Sequence, residues 1–206
     1  MRWLSLLTGM MLSLSALAGL DEDLHALQND WAAIKYQRPA AEQEKAFAEL
    51  TRSADAVRAR YPGRAEPQIW YGIIAASYAG ARGGLGALSL AKDAKKALEQ
   101  ALAADPKALD GSAYTSLGSL YYQVPGWPIG FGSDDKAREL LQKALALNPD
   151  GIDSNYFYGD FLARQGDRDG ARRALDKALK APPRAGRALA DEGRRKEIES
   201  LLASLK

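Results

Sequence analysis

The sequence predicts an all-α fold, a TPR-like solenoid of about four helix pairs. Three observations carry this: a recurring Ala–Leu–Ala–Pro pattern, a glycine upstream of each clear copy, and helical spacing of apolar residues with no credible strand pattern.

The pattern comes first. Ala94, Leu98, Ala101 and Pro106 stand 4, 3 and 5 residues apart. Ala137, Leu141, Ala144 and Pro149 repeat that spacing, as do Ala171, Leu175, Ala178 and Pro183. Leu50, Ala54, Val57 and Pro62 follow it with weaker residue identity. Residues four and three apart share one helix face, where small Ala side chains admit a neighbouring helix and Leu fills the gap. Proline ends the helix because it drives the preceding residue out of the α region.

Gly72, Gly118 and Gly159 mark the first helix of each pair. From Gly159 to Ala171 is 12 residues and from Ala171 to Pro183 another 12, which gives a helix-turn-helix of 34-residue period. Asn155, Tyr158, Gly159, Leu162, Ala171, Leu175, Ala178 and Pro183 then occupy the TPR positions, with Asn155 in place of Trp and Tyr158 in place of Leu. Gly166-Asp167 supplies the turn. The two earlier pairs are longer: Gly118 to Ala137 is 19 residues and Gly72 to Ala94 is 22. The extra length falls between the paired helices, over Gly80–Gly86, read as a flexible connection, and over Val124–Gly132. Insertions at matching sites of a solenoid project on one side, often the binding side.

Caps flank the repeats. Leu24, Leu27, Trp31 and Ile34 place a helix over Leu24–Tyr36, and Glu42–Ala59 forms its partner. A last helix over Asp191–Leu205 presents Ile198, Leu201 and Leu202 inward, with Arg194, Arg195, Lys196, Glu197 and Glu199 suiting a solvated cap. The expected organisation is residues 1–18 as a signal peptide and 19–64 as a capping pair. Repeats occupy 65–186 (about 65–108, 111–151 and 152–185), and 187–206 form a capping helix.

The first eighteen residues carry Arg2, an apolar run over Leu4–Leu17 and the A-x-A sequence Ala16-Leu17-Ala18. That is the signature of a secretory signal, cleaved here after Ala18. The apolar run is short of the roughly 20 residues a membrane span needs. The expected location of the mature chain is therefore the periplasm.

Composition removes several kinds of chemistry. With 28 Lys+Arg against 26 Asp+Glu, the net charge of +2 argues against nucleic-acid binding. The chain has no cysteine, which excludes disulfides, thiol catalysis, Cys-based metal sites and lipoprotein anchoring through Cys. His25 is the only histidine and reads as a surface or capping residue. Gly80–Gly86 lacks both phosphate-loop spacings, so no nucleotide cofactor is expected. Asp134-Asp135 and Asp21-Glu22-Asp23 read as helix-start charges. Nothing pairs a nucleophile with a base, so the chain reads as a non-enzyme with no cofactor and no metal.

Two features remain as binding candidates. The first helix of each TPR pair lines the concave face. Counting from the glycine places Glu66, Ile69, Ile73, Ala76 and Ser77 there in the first repeat. The middle repeat contributes Ser112, Thr115, Ser119, Tyr122 and Gln123, and the last contributes Asp153, Tyr156, Asp160, Ala163 and Arg164. Either this set forms a binding groove or it is a solvated helix surface. Tyrosine offers large contact area at low entropic cost. The second candidate is the Trp127 loop, stiffened by Pro125 and Pro128. Trp127 and Phe131 form a lid or contact patch, or fold back with Ile129 to plug the core, or do both with one ring buried and another exposed. Arg184, Arg187, Arg194 and Arg195 add a basic patch, read as solvated surface or as a dock for an acidic partner.

The stretch Gly111–Tyr122 running into Val124-Pro125-Gly126-Trp127-Pro128, then a TPR-type helix and Asn148-Pro149-Asp150-Gly151, resembles the TatT family, the T-components associated with TRAP transporters. The resemblance spans roughly Gln68–Leu202. It implies a periplasmic helical protein that partners a solute-binding P-component and serves uptake of small organic molecules, often carboxylates. It also implies a homo-oligomer, a trimer in the family. Some T-components are lipoproteins, and this chain departs from them in lacking Cys. The alternative function is a general periplasmic interaction scaffold in envelope assembly.

Overall fold

The computed structural model describes the backbone from residue 4 to residue 205. Residues 1–3 and 206, and the side chains of 4–18 and 85, lie outside the described residues, and the expected signal segment falls on them. Nine helices and no strand occur among the described residues: α1 (Leu4–Gln37), α2 (Ala40–Arg60), α3 (Ala65–Arg82), α4 (Gly84–Ala104), α5 (Ala108–Gln123), α6 (Asp134–Leu147), α7 (Ile152–Arg164), α8 (Arg168–Leu179) and α9 (Ala188–Ser204). They form the expected hairpin solenoid, with α3/α4, α5/α6 and α7/α8 as the tightest pairs. No described helix is long and apolar enough to cross a membrane.

The repeating pattern is the core. Ala94, Leu98, Ala101, Ala137, Leu141, Ala144, Ala171, Leu175 and Ala178 are all fully buried, and Leu50, Ala54 and Val57 are buried in the cap. The upstream glycines explain how each pair closes. A Cβ on Gly72 would come within 2.6 Å of the Leu98 Cγ, and on Gly118 or Gly159 within 2.8 Å of the Cγ of Leu141 or Leu175. Each leucine of a second helix therefore seats on the bare backbone of the first, a close approach that only glycine permits. Local capping agrees with the pattern: the side chain of Ser133 accepts from the backbone N–H of Lys136 at the start of α6, and Asp167 accepts from Gly170 at the start of α8.

The structure corrects four expectations. Gly80–Gly86 is no flexible connection: α3 and α4 absorb it and meet at Gly83, where φ of +63° reverses the chain. The extra length of this repeat is thus helix, because no proline or polar run interrupts it. The last helix begins a turn earlier than Asp191, at Ala188. Asp21-Glu22-Asp23 lies within α1 rather than at its start, where Asp23 accepts from the Tyr61 hydroxyl at 2.8 Å and pairs with Arg60 at 2.9 Å. Arg194, expected on the solvated face of the cap, is buried.

Arg194 is buried because the two ends of the solenoid meet. Helix α9 packs against α1 as well as α7 and α8. Tyr36 near the end of α1 lies on Gly193 of α9, where any Cβ would collide with its ring. The Tyr36 hydroxyl donates to Glu197 at 3.3 Å, and Lys35 pairs with the same carboxylate at 3.4 Å. His25 is exposed, as expected.

Candidate binding chamber and the Trp127 loop

Meeting of α1 and α9 turns the concave face into a chamber. Its volume is about 550 Å³, and α1, α2, α3, α5, α7 and α9 all contribute to its walls. That lies within the size range of small-molecule sites. Helix α5 supplies a stripe of hydroxyls, Ser112, Thr115, Ser116 and Ser119. Their i, i+3, i+4, i+7 spacing places them on one helix face. Helices α1, α2 and α3 supply the rings of Trp31, Phe47 and Trp70. Trp31 meets Trp70 edge-on at 6.3 Å between centroids and donates its Nε1–H to the Ser77 hydroxyl at 2.8 Å. Trp70 has no such outlet: its Nε1 is buried without a hydrogen-bond partner. The Arg187 guanidinium lies 4.9 Å from the Trp70 ring centroid, and its own Nε is likewise buried and unpartnered.

An ion network forms the wall at α7 and α9. Asp153 accepts from Arg184 Nη1 at 2.6 Å and from Arg194 Nε at 2.8 Å. Asp191 accepts from the Arg184 backbone N–H at 2.8 Å and from its Nε at 2.7 Å. Glu197 accepts from Arg194 Nη1 at 2.5 Å. Burial pushes the Asp153 carboxyl up, but the Arg194 and Arg184 guanidiniums outweigh it and hold it well below the usual carboxylate range. Arg187 is shifted downward: burial, then the like charge of Arg184, lowers it. Arg194 also stacks on the rings of Tyr156 at 4.3 Å and Phe157 at 4.8 Å.

The loop between α5 and α6 is ordered by its own backbone. Ile129 and Gly130 donate to the Gly126 carbonyl at 3.2 and 3.0 Å, Gly132 donates to that of Pro125 at 2.9 Å, and Ser133 donates to that of Tyr121 at 2.8 Å. Its rings divide between the two expected roles. Phe131 packs edge-on against Tyr121 at 5.5 Å, whereas Trp127 is 90% exposed and Ile129 67% exposed. Beneath the loop lies an apolar pocket of about 230 Å³, lined by Ala76, Leu88, Leu120, Val124 and Ile129 among others.

Residues 132–192 match the tetratricopeptide repeat family. A thermophilic TPR protein of Thermus thermophilus is similar in structure over 93% of this chain and 95% of its own, with a TM-score of 0.58 and 20% identity. The fold is TPR-like. A MamA protein structure is 22% identical, over 82% of this chain and 94% of its own, at a TM-score of 0.46. No curated protein matches the sequence.

Within this TPR-like frame the expected site residues fall into three groups. Thr115, Ser119, Gln123 and Tyr156 line the chamber. Tyr122, Asp160 and Arg164 form a neighbouring cluster: the Tyr122 hydroxyl donates to Asp160 at 2.7 Å and accepts from Gln123 Nε2 at 3.3 Å, while Arg164 Nε lies 3.4 Å from Asp160. Burial raises the Tyr122 hydroxyl well above its ordinary value, with the Asp160 charge adding to it. Trp127 and Phe131 belong to the loop. Sequence reasoning passed over Trp70 as a site residue and treated Arg187 only as part of a basic patch. The spacing offered only a partial signal: Arg187 immediately precedes α9 and Arg194 lies seven residues further on, within the helix.

Proposed function

We propose that this chain is a non-enzymatic periplasmic accessory protein that binds another protein, in the manner of the T-component of TRAP-type uptake systems. A TPR-type solenoid is a protein-interaction architecture, and this supports the coarse reading. The observation that carries the finer one is the Trp127 loop. A tryptophan and an isoleucine stand exposed on a segment fixed by four backbone hydrogen bonds. Rigid exposed aromatics bind partners at low entropic cost, and tryptophan is enriched among interface residues that dominate affinity. The chamber is then available to a small organic molecule passing between partners.

The test is affinity capture. A C-terminally tagged full chain, expressed in a TRAP-containing bacterium, is recovered from the periplasm and its co-purifying proteins are identified by mass spectrometry. Recovery of a solute-binding protein, reduced at least about tenfold by Trp127→Ala, supports the reading. Recovery of envelope-assembly proteins alone replaces it with the scaffold function.

A further inference from the structure

We infer that the contact of α9 with α1 is an opening joint, at which two jaws of the chamber part while the rest of the solenoid stays folded. The joint is independent of which protein binds the Trp127 loop.

Repeats of a solenoid touch only their neighbours, so small rotations at each repeat add up to a large change at the ends. Among the described residues the contact of α9 with α1 is the exception, because it joins opposite ends of the array. The apolar core divides in the same sense. One part is built from α1–α5 with Leu140 and Ala190, the other from Ala137, Leu141 and mainly α7, α8 and α9. Leu140 and Leu141, adjacent on α6, thus enter different parts, and α6 is the line about which the halves bend. Of the buried residues of α9 only Ala190 belongs to the first part, with half-buried Leu189 beside it. Parting α9 from α1 therefore uncovers a small apolar area and leaves both parts intact.

Much of what closes the joint is polar. Glu197 accepts from the Tyr36 hydroxyl at 3.3 Å and pairs with Lys35 at 3.4 Å, while Arg194 bonds it within its own helix. Lys35 and Glu197 are both partly exposed, so water can take over these contacts when the joint opens.

Closure also carries a penalty. Trp70 Nε1 on α3 and Arg187 Nε, just ahead of α9, are buried without a partner, with the guanidinium 4.9 Å from the ring centroid across the joint. Both groups are donors only, so neither can satisfy the other. Burial and the charge of Arg184 disfavour the Arg187 cation, and Asp153 and Asp191 offset only part of this. Opening hands both donors to water and recovers their desolvation. Buried unsatisfied donors are rare in folded proteins, and here a pair of them flanks one contact. The joint is thus balanced between contacts that water can replace and a penalty that water removes. Helices α1, α2, α3 and α5 line the chamber from one half, and α7 and α9 from the other, so opening widens it beyond the closed volume of about 550 Å³.

The Trp70 indole N–H is the reporter, because closure of the joint is what buries it. Its exchange with solvent is followed in ¹H–¹⁵N spectra of the full-length protein, with the Trp31 indole, held by Ser77, as the comparison. In the wild type its protection should be at least about a hundredfold below that of the Ile74 amide, fully buried in the same helix, because local opening suffices to expose it. Glu197→Gln should speed the exchange at least about fivefold, with the Trp31 indole little changed. Arg187→Met should slow it at least about threefold, since it removes a buried unpaired donor and keeps a flexible apolar stem on the ring. A role in packing alone would make both variants exchange faster. The chain has no cysteine, so spin labels at Lys45→Cys on α2 and Glu199→Cys on α9, both exposed positions, measure the separation of the jaws. Glu197→Gln should add a population at longer distance, and Arg187→Met introduced beside it should shrink that population. Trp70 protection equal to that of Ile74, faster exchange in Arg187→Met, or a distance distribution that Glu197→Gln leaves unmoved would each overturn the inference.

Discussion

At the scale of single residues, the fold depends on pairs of complementary size. Gly159 has no Cβ because Leu175 needs its place, and Gly72 with Leu98 and Gly118 with Leu141 repeat the arrangement. Gly159→Ala should therefore cost about 1–3 kcal/mol, the range for overpacking. Ala144 is fully buried between helices, so Ala144→Leu should cost a similar amount. Urea midpoints of the two variants check both, and an unchanged midpoint would undo the assignment of that position. These residues were legible from spacing alone, since a small–large–small pattern at helical intervals has few other uses. Trp70 was not, because its significance lies in what it lacks, a hydrogen-bond acceptor, and spacing carries no information about that.

At the scale of elements, α9 is tied to its neighbours by charge as well as by the apolar contacts of Ala190 and Ile198. Asp153 on α7 anchors Arg184 ahead of α9 and Arg194 within it. Its carboxyl is held below the usual range, so the folded state binds the proton less readily than the unfolded chain does. The stability this provides is present above the unfolded value of about 4 and is lost as pH falls through the lower folded value. Stability should thus fall on acidification below about pH 4 in the wild type, and fall less steeply in Asp153→Asn. At neutral pH that variant should be less stable by roughly 2–3 kcal/mol, somewhat under the figure for a fully buried pair because Asp153 is half-buried. Chemical denaturation at pH 7, 4 and 3 compares the two directly.

Gly193 matters at the same scale. It lets Tyr36 lie on α9, so Gly193→Ala should part α1 from α9. Faster amide exchange in the last turns of α1 and in α9, with little change in α5–α8, is the expected signature.

At the scale of the whole molecule, the TPR-like solenoid closes on itself and leaves one loop reaching out. Closure makes a chamber of the concave face, and the exposed Trp127 and Ile129 leave an apolar point of contact. Trp127→Ala should change stability by less than about 0.5 kcal/mol, as expected of an exposed side chain, while reducing partner capture. The proposed export is also decided here: intact mass of protein recovered from the periplasm should correspond to a chain beginning at Gly19. A mass that retains residues 1–18 would require a different account of its location.

Sequence alone determined the all-helical repeat, the positions of its glycines and leucines, the flanking helices and the Trp127 loop. Each is local or recurs at a fixed interval, so periodicity and turn chemistry suffice to show it. It also placed Thr115, Ser119, Gln123 and Tyr156 on the concave face, because helical phase sets which way a side chain points. Tertiary structure alone decided that α1 meets α9, that Arg194 is interior, that Tyr122 turns to Asp160, and that Arg187 lies over the Trp70 ring. Those facts join residues separated by up to 161 positions, as Tyr36 and Glu197 are. They depend on the accumulated rotation of every repeat between, a quantity set by packing and invisible to local spacing.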